Sequence, residues 1–137
     1  MSNTMLTPND GELLMLESIL SYKYIFNLYK NDHTPSINST ISDFTVADFV
    51  GYKMYTIEPL YDSGWIAGSP YLDSNTAVAE HEVYSWTCTS TEPQTLYGYF
   101  ITNLLGQAVL AERFDTQKII KCCVLDVGFK ISLSNEP

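Results

Sequence analysis

The side chains of this chain that could do chemistry are two histidines, three cysteines and several closely spaced acids. A zinc site needs three or four ligands that converge from defined spacings. His33 lies in a predicted turn beside Asp32, and His81 stands between Glu80 and Glu82. Because successive side chains of a strand point to opposite faces, the triplet around His81 cannot hold one ion. We therefore predict no metal site, with His81 at a solvated edge or on a sheet face.

A nucleophilic pair would need Cys88 to lie beside His81. Their separation in sequence puts them on opposite faces of one straight strand, about 23 Å apart at about 3.3 Å per residue. The chain also lacks the GxSxG elbow of hydrolases and the phosphate-binding patterns GxxxxGK[ST] and GxGxxG. The sequence thus predicts a protein that is not an enzyme and takes no cofactor.

The acidic residues allow one kind of catalysis, glycoside hydrolysis by a pair of carboxyl groups. A glycosidase needs two carboxyl groups about 5 to 10 Å apart across a cleft. Asp62 and Asp73, or Glu80 and Glu82, could face one another, but nothing in the sequence forces them together. We interpret these acids as solvated surface groups, and a small hydrolase that uses Asp62, Asp73 and Glu82 is the alternative.

The three cysteines are Cys88, Cys122 and Cys123, and no CxxC spacing occurs. This odd number favours reduced thiols in a protein made in a reducing compartment. One disulfide between Cys88 and either Cys122 or Cys123 is the alternative. In a strand the two neighbouring cysteines point to opposite faces, so only one of them could be a core residue.

The composition excludes several classes of protein. The 137 residues are 45% hydrophobic and only 17% charged, with a net charge of -9. Such a balance argues against binding to nucleic acid or to anionic lipid, since both depend on clustered cations. We expect neither a signal peptide nor a transmembrane helix, because no basic segment precedes an apolar one and no apolar run approaches about 20 residues.

The hydrophobic pattern predicts one helix followed by strands. Leucines at 13, 16 and 20 form one face of a helix over residues 9–21, which Asn9 or Asp10 would cap. A single helical turn is expected at 45–49. Period-two alternation then predicts strands over 22–29, 52–58, 64–67, 77–88, 95–103, 108–114 and 123–133.

Short antiparallel strands joined by turns are typical of a mainly β fold. We predict an antiparallel β-sandwich or jelly-roll-like barrel with one short N-terminal helix. A single β domain would cover residues 1–137, with a flexible arm at 1–8, the helix at 9–21 and the sandwich at 22–133.

Aromatic residues crowd the middle of the chain among glycines and prolines. Three interpretations stay open for them: core packing, a protein contact surface, or a platform on which sugars stack. Tyr and Trp are enriched where proteins bury area against a partner. The residues predicted to contact a partner are Tyr52, Tyr55, Tyr61, Trp65 and Tyr71.

Four segments of the chain resemble a family of small tailed-bacteriophage proteins that occur with virion structural genes. They are 26–35 (FNLYKNDHTP), 43–52 (DFTVADFVGY), 97–102 (YGYFIT) and 111–114 (AERF). The resemblance covers roughly residues 10–133 and supplies no catalytic residues. The extra tyrosines and the pair of neighbouring cysteines depart from the family's pattern.

The resemblance implies a non-enzymatic virion structural protein that is assembled in the host cytoplasm. Within that class we expect a capsid decoration (cement) protein that binds and stabilises the outer capsid surface. Its partners would be the major capsid protein and copies of itself, in a homotrimer or another closed oligomer, with neither nucleic acid nor membrane involved. A tail or head-fibre component that binds a host receptor or glycan is the alternative.

Overall fold

The computed structural model describes residues 6–133 of the chain. A helix near the N-terminus is followed by strands that form a four-stranded sheet, in the order β2-β1-β5-β6, and a three-stranded sheet, in the order β3-β4-β7. The fold is mainly β, with two antiparallel sheets and one short N-terminal helix, which confirms the predicted fold class. The elements are α1 Asn9–Ile19, β1 Tyr24–Tyr29, β2 Tyr55–Ile57, β3 Tyr71–Asp73, β4 Thr76–Thr87, β5 Gln94–Thr102, β6 Ala108–Ile120 and β7 Val124–Leu133.

The expected helical turn at 45–49 is wrong. A 3-10 turn covers Ile41–Asp43 instead, where Thr40 and Asp43 form a capping box. The following residues are extended, and Val46 forms an isolated antiparallel bridge with Tyr29. The backbone N–H of Thr45 donates to the side-chain oxygen of Asn31 at 2.8 Å.

Strand ends also differ from expectation. β6 continues to Ile120, well beyond residue 114, and β3 was absent from the sequence prediction. The expected strand at 64–67 is reduced to one bridge, between Trp65 and His81. Glycines and prolines flank both β3 and this bridge, and they hide such short pairings from a period-two pattern.

The chain forms two compact units. Of the described residues, unit 1 contains 6–22, 58–83 and 128–133, and unit 2 contains 23–57 and 84–127. The chain passes between the units within β4 and within β7. The single domain expected over 1–137 stays a prediction.

In unit 1 the helix packs with its leucine face, as the spacing predicts. Leu16 and Leu20 are buried against Leu60, Ala77 and Ala79. Next to this cluster the Leu60 N–H donates to the Leu20 carbonyl at 2.8 Å. The burial of these apolar side chains supplies the tertiary support that so short a helix needs.

The expected cap of this helix is wrong. Pro8 is the N-cap residue and no side chain caps the helix. The side chain of Asn9 donates instead to Asn75 at 3.2 Å. The helix ends at Ile19, before residue 21. Residues 6–8 of the expected arm have no regular structure, and residues 1–5 lie outside the described part of the chain.

In unit 2 the four-stranded sheet packs against the end of β4. The ring of Phe26, in β1, lies 5.3 Å from Tyr84 and 6.1 Å from Trp86 between ring centroids. Phe26 and Trp86 are almost fully buried. These ring contacts join a strand of one sheet to a strand of the other, as in the core of a sandwich.

A large bulge separates the two halves of β6. Its partner strand β5 pairs Leu96 with Lys118 and then Gly98 with Arg113, so β6 carries extra residues between these pairs. Such an insertion bends the strand and re-aims its side chains. The first half of β6 is the part that borders the site described below.

Candidate functional site

An apolar groove of about 430 Å³ lies beside the first half of β6 in unit 2. We call it the β6 groove. One side is formed by β6 and the other by the loop that follows β1. Val109 and Leu110 on the β6 side and Ile37 on the loop side are exposed to solvent. Its lining residues are Pro35, Ser36, Ile37, Ser39, Phe44, Ala108, Val109, Leu110 and Ala111.

Aromatic packing supports the groove from beneath. Phe44 stacks on Phe100 with ring centroids 4.7 Å apart and meets the ring of His33 edge-on at 5.0 Å. Tyr29 completes this buried cluster, and its hydroxyl donates to the His33 carbonyl at 2.9 Å. The wall that contains Phe44 is therefore part of the core of unit 2.

Polar contacts also fix the rest of this loop wall. The side chain of Asn31 donates to the Asp43 carbonyl at 2.8 Å, which closes the base of the loop. Near its tip, the Ser39 hydroxyl lies 3.0 Å from Nε2 of His33 and accepts the Ser36 N–H at 2.8 Å. Residues such as Asn and Ser form these local hydrogen bonds readily, and they hold the loop in one conformation.

Arg113 ties the same loop to β6. Its guanidinium lies 2.7 Å from the Asp32 carboxylate and 3.5 Å from the Thr34 hydroxyl. It also lies over the ring of Tyr97, at 5.2 Å from the centroid. Since a guanidinium offers both a fork of donors and a flat face, one side chain makes all three contacts.

The four segments that carry the family resemblance all lie in unit 2. Segment 26–35 supplies most of β1, and 111–114 supplies part of β6 with Arg113. Segment 97–102 lies in β5, which pairs with both strands in the sheet. Three of the nine residues that line the β6 groove come from these segments, Pro35, Phe44 and Ala111, and the family stays a prediction.

Two of the residues predicted to contact a partner line a second pocket, in unit 1. This loop pocket has a volume of about 370 Å³ and is formed by one stretch of chain. Tyr61 is 72% exposed at its rim, and φ of 73° places it in the left-handed region. The lining residues are Tyr61, Asp62, Trp65, Ile66, Ala67, Gly68, Ser69 and Pro70.

Contacts with three other residues hold Trp65 in this pocket. Its indole N–H donates to the Glu58 carbonyl at 2.8 Å. Its ring packs edge-on against His81 at 4.9 Å and against Phe129 at 6.0 Å. Gly64 is required here, because a Cβ at this position would lie 2.5 Å from Nε2 of His81.

His81 is on a buried face of the sheet and not at a solvated edge. It is 7% exposed, and its ring stacks on Phe129 at 4.9 Å. Burial lowers the pKa of the imidazole below its usual 6.5, although a hydrogen bond to the Glu82 carbonyl at 2.7 Å opposes this shift. The neutral ring therefore acts as part of the apolar packing.

Tyr71, Tyr52 and Tyr55 are all partly buried and hydrogen-bonded within their units. The Tyr71 hydroxyl donates to the Glu80 carboxylate, and this hydrogen bond raises the pKa of the phenol. Tyr52 donates to the side chain of Asn27, and burial raises its pKa to about 12. Tyr55 donates to a backbone carbonyl and stacks on Tyr84 at 4.2 Å.

The described residues bring no catalytic constellation together. Across residues 6–133, no three side chains of His, Cys, Asp or Glu are grouped so that they could hold a metal ion. Asp62 lines the loop pocket, whereas Asp73 belongs to β3 and is not among the lining residues. Glu80 accepts the hydrogen bond from Tyr71. Within the same residues, no helix has the length and apolarity to cross a bilayer.

The β6 groove was not predicted from the sequence. The signal was present, because Val109 and Leu110 are adjacent apolar residues, and adjacent residues of a strand cannot both face the core. Both are exposed, as is Ile37 across the groove. Ile37 stands among serines and asparagine, where the pattern indicated only a loop.

Comparison with known proteins adds no family to this geometry. No protein-family model matches the chain, and neither the curated proteins nor the solved structures contain a significant match to it.

Proposed function

We propose that this chain is a non-enzymatic virion structural protein, a capsid decoration protein that binds and stabilises the outer surface of a bacteriophage capsid. The observation that carries the proposal is the β6 groove, with exposed apolar residues on two fixed walls. A protein that works by adhesion needs such apolar area on its free subunit. The kind of assembly, a bacteriophage capsid, is taken from the family resemblance.

The rigidity of the groove supports a binding role. Arg113, Asn31 and the Phe44 cluster hold both walls in place before any partner arrives. Preformed walls lose little conformational entropy on binding, so more of the buried apolar area contributes to affinity.

The charge of the chain is compatible with this role. A net charge of -9 opposes non-specific aggregation of the chain before assembly, while the groove lining itself contains no charged residue. Apolar and neutral polar groups can be buried against a capsid protein without the cost of desolvating ions. The partners proposed here are the major capsid protein and further copies of the chain in a closed oligomer.

The test is the copy number of the chain in purified phage particles from the genome that encodes it. Quantitative mass spectrometry should find the chain at a fixed, near-stoichiometric ratio to the major capsid protein. A few copies per particle would assign the chain to the tail or a fibre, and particles without the chain would refute a virion role.

A second candidate function rests on the loop pocket. Tyr61, Asp62 and Trp65 combine two aromatic rings with a carboxylate around a space that a monosaccharide would fit. Rings stack on the apolar face of a sugar, and carboxylates accept hydrogen bonds from its hydroxyl groups. This arrangement favours the alternative of a tail or head-fibre component that binds a host glycan.

A further inference from the structure

Cys88 and Cys122 lie on two neighbouring stretches of unit 2. Cys88 directly follows β4 and is 2% exposed. Cys122 lies in the short connection between β6 and β7, where its φ of 44° marks a turn, and it is exposed. All three cysteines of the chain are free thiols in this structure.

The thiols of Cys88 and Cys122 meet at one backbone atom, the carbonyl oxygen of Ser90. The Cys122 sulfur is 3.2 Å from this oxygen and the Cys88 sulfur is 3.7 Å from it. The Cys122 backbone N–H donates to the same oxygen at 3.0 Å. The two sulfurs therefore cannot be farther apart than the sum of their distances to Ser90.

The backbone brings the two stretches together independently of the thiols. The N–H of Cys88 donates to the Cys123 carbonyl at 2.9 Å, beside the bond between Cys122 and Ser90. These bonds pair Cys88 with Cys123 and Cys122 with Ser90, so Cys88 and Cys122 lie at diagonal positions of the two stretches. Their shared contact with the Ser90 carbonyl brings the two sulfurs close to each other, and disulfides span Cα separations of about 4.4 to 6.8 Å.

We propose that Cys88 and Cys122 form an oxidation site, which closes to an intramolecular disulfide on exchange with a small-molecule disulfide. Cys122 is the attacking residue because it is exposed, and Cys88 is the resolving residue because it is buried beside it. Cys123 is also exposed but takes no part in the crosslink. The proposal does not depend on the function proposed above.

The reaction balances as two successive exchanges. The Cys122 thiolate attacks one sulfur of the oxidant, forms a mixed disulfide and releases one small thiol. Cys88 loses its proton to solvent, and its thiolate attacks the Cys122 sulfur and releases the second small thiol. The two cysteines are oxidised to one disulfide, and the oxidant is reduced to two thiols.

The crosslink would join the end of β4 to the connection between β6 and β7. A covalent bond across a long stretch of chain restricts the unfolded state. We expect the oxidised protein to have a midpoint of thermal unfolding that is roughly 10 °C higher than that of the reduced protein. In the folded state the change is local, since the two stretches are already hydrogen-bonded.

The experiment treats the full folded chain with oxidised glutathione and then labels the remaining thiols. Fragmentation of the crosslinked peptide should place the bond between Cys88 and Cys122, and Cys123, which is also exposed, should carry either the label or one glutathione. Cys123→Ser should form the bond at the same rate, whereas Cys122→Ser should leave Cys88 reduced. Cys88→Ala should stop at a stable adduct of glutathione on Cys122.

Two results of this oxidation experiment would contradict the proposal. Three labelled thiols after prolonged oxidation would overturn it, and so would a crosslink from Cys88 to Cys123 that persists in Cys122→Ser. If Cys88→Ala does not fold, the wild-type chain still gives the answer through the position of the crosslink.

Discussion

Arg113 in β6 forms an ion pair with Asp32 in the loop after β1, with 2.7 Å between guanidinium nitrogen and carboxylate oxygen. The same guanidinium covers the ring of Tyr97. The pair joins the two walls of the β6 groove across two segments that are distant in sequence. Arg113 is therefore one of the side chains that fix the shape of the groove.

Arg113→Ala should loosen the loop wall without unfolding unit 2. The ion pair is partly solvated, with side-chain exposures of 31% and 72%, so its loss together with the cation–π contact should cost about 1 kcal/mol. Hydrogen exchange should rise in residues 32–39. Lys121→Ala, at an exposed residue of the β6–β7 connection, is the matched control. Unchanged exchange in Arg113→Ala would show that the ion pair does not hold the loop.

Gly98→Ala should destabilise the sheet strongly. An added Cβ would lie 2.2 Å from the Glu112 carbonyl oxygen and 2.6 Å from the Tyr29 hydroxyl. Overpacking against backbone costs about 3 kcal/mol or more. At Gly106 a Cβ would meet nothing within 4 Å, and only its φ of 83° opposes a side chain, so Gly106→Ala should cost about 1 kcal/mol. If urea unfolding shows that Gly106→Ala is less stable than Gly98→Ala, this packing is contradicted.

Acid should weaken the fold through His81. Because burial lowers its pKa in the folded chain below 6.5, the unfolded chain binds a proton that the folded chain does not. The stabilising contribution is complete above pH 6.5 and is lost as the pH falls toward the folded-state pKa, by at most ~1.4 kcal/mol per pH unit. In urea unfolding, His81→Leu should lose less free energy than wild type between about pH 7 and about pH 5. Equal losses of unfolding free energy in the two proteins would mean that the imidazole is in contact with water.

Substitutions in the loop pocket distinguish its contribution to stability from glycan binding. Trp65→Ala should cost about 3 kcal/mol of stability, since the ring packs on His81 and Phe129. Tyr61→Ala should cost under about 1 kcal/mol, because the side chain is 72% exposed. If the pocket binds a glycan, Tyr61→Ala should abolish binding to a glycan array while the fold is kept. An array without any signal for the wild-type chain would remove this second function.

Period-two and helical hydrophobic patterns were sufficient to predict the strands and the helix that bury one face. In β7 the residues Val127 and Phe129 are buried while their neighbours are exposed, and the leucines of α1 pack as spaced. The failures have physical causes. The 45–49 segment looked helical locally, but bridge pairing of Val46 with Tyr29 outweighed that preference. β6 extends past a bulge that no pattern reveals.

The candidate site was harder to predict than the fold. The aromatic cluster was recognised as a group, but its members lie in both units, and Tyr52 and Tyr55 make internal hydrogen bonds. The β6 groove depends on contacts between distant segments, such as Arg113 with Asp32. Such contacts are properties of the folded chain and are not encoded in any one window of sequence.

The most direct test of the central claim is binding of the purified chain to capsids that lack it, measured by co-sedimentation. Val109→Asp places a charge in the β6 groove, and Val124→Asp makes the same change at an exposed strand residue outside it. We predict saturable binding for wild type and Val124→Asp, and at least about 10-fold weaker binding for Val109→Asp, since burying an unpaired charge costs more than about 1.4 kcal/mol. Equal binding by Val109→Asp and wild type would contradict the account.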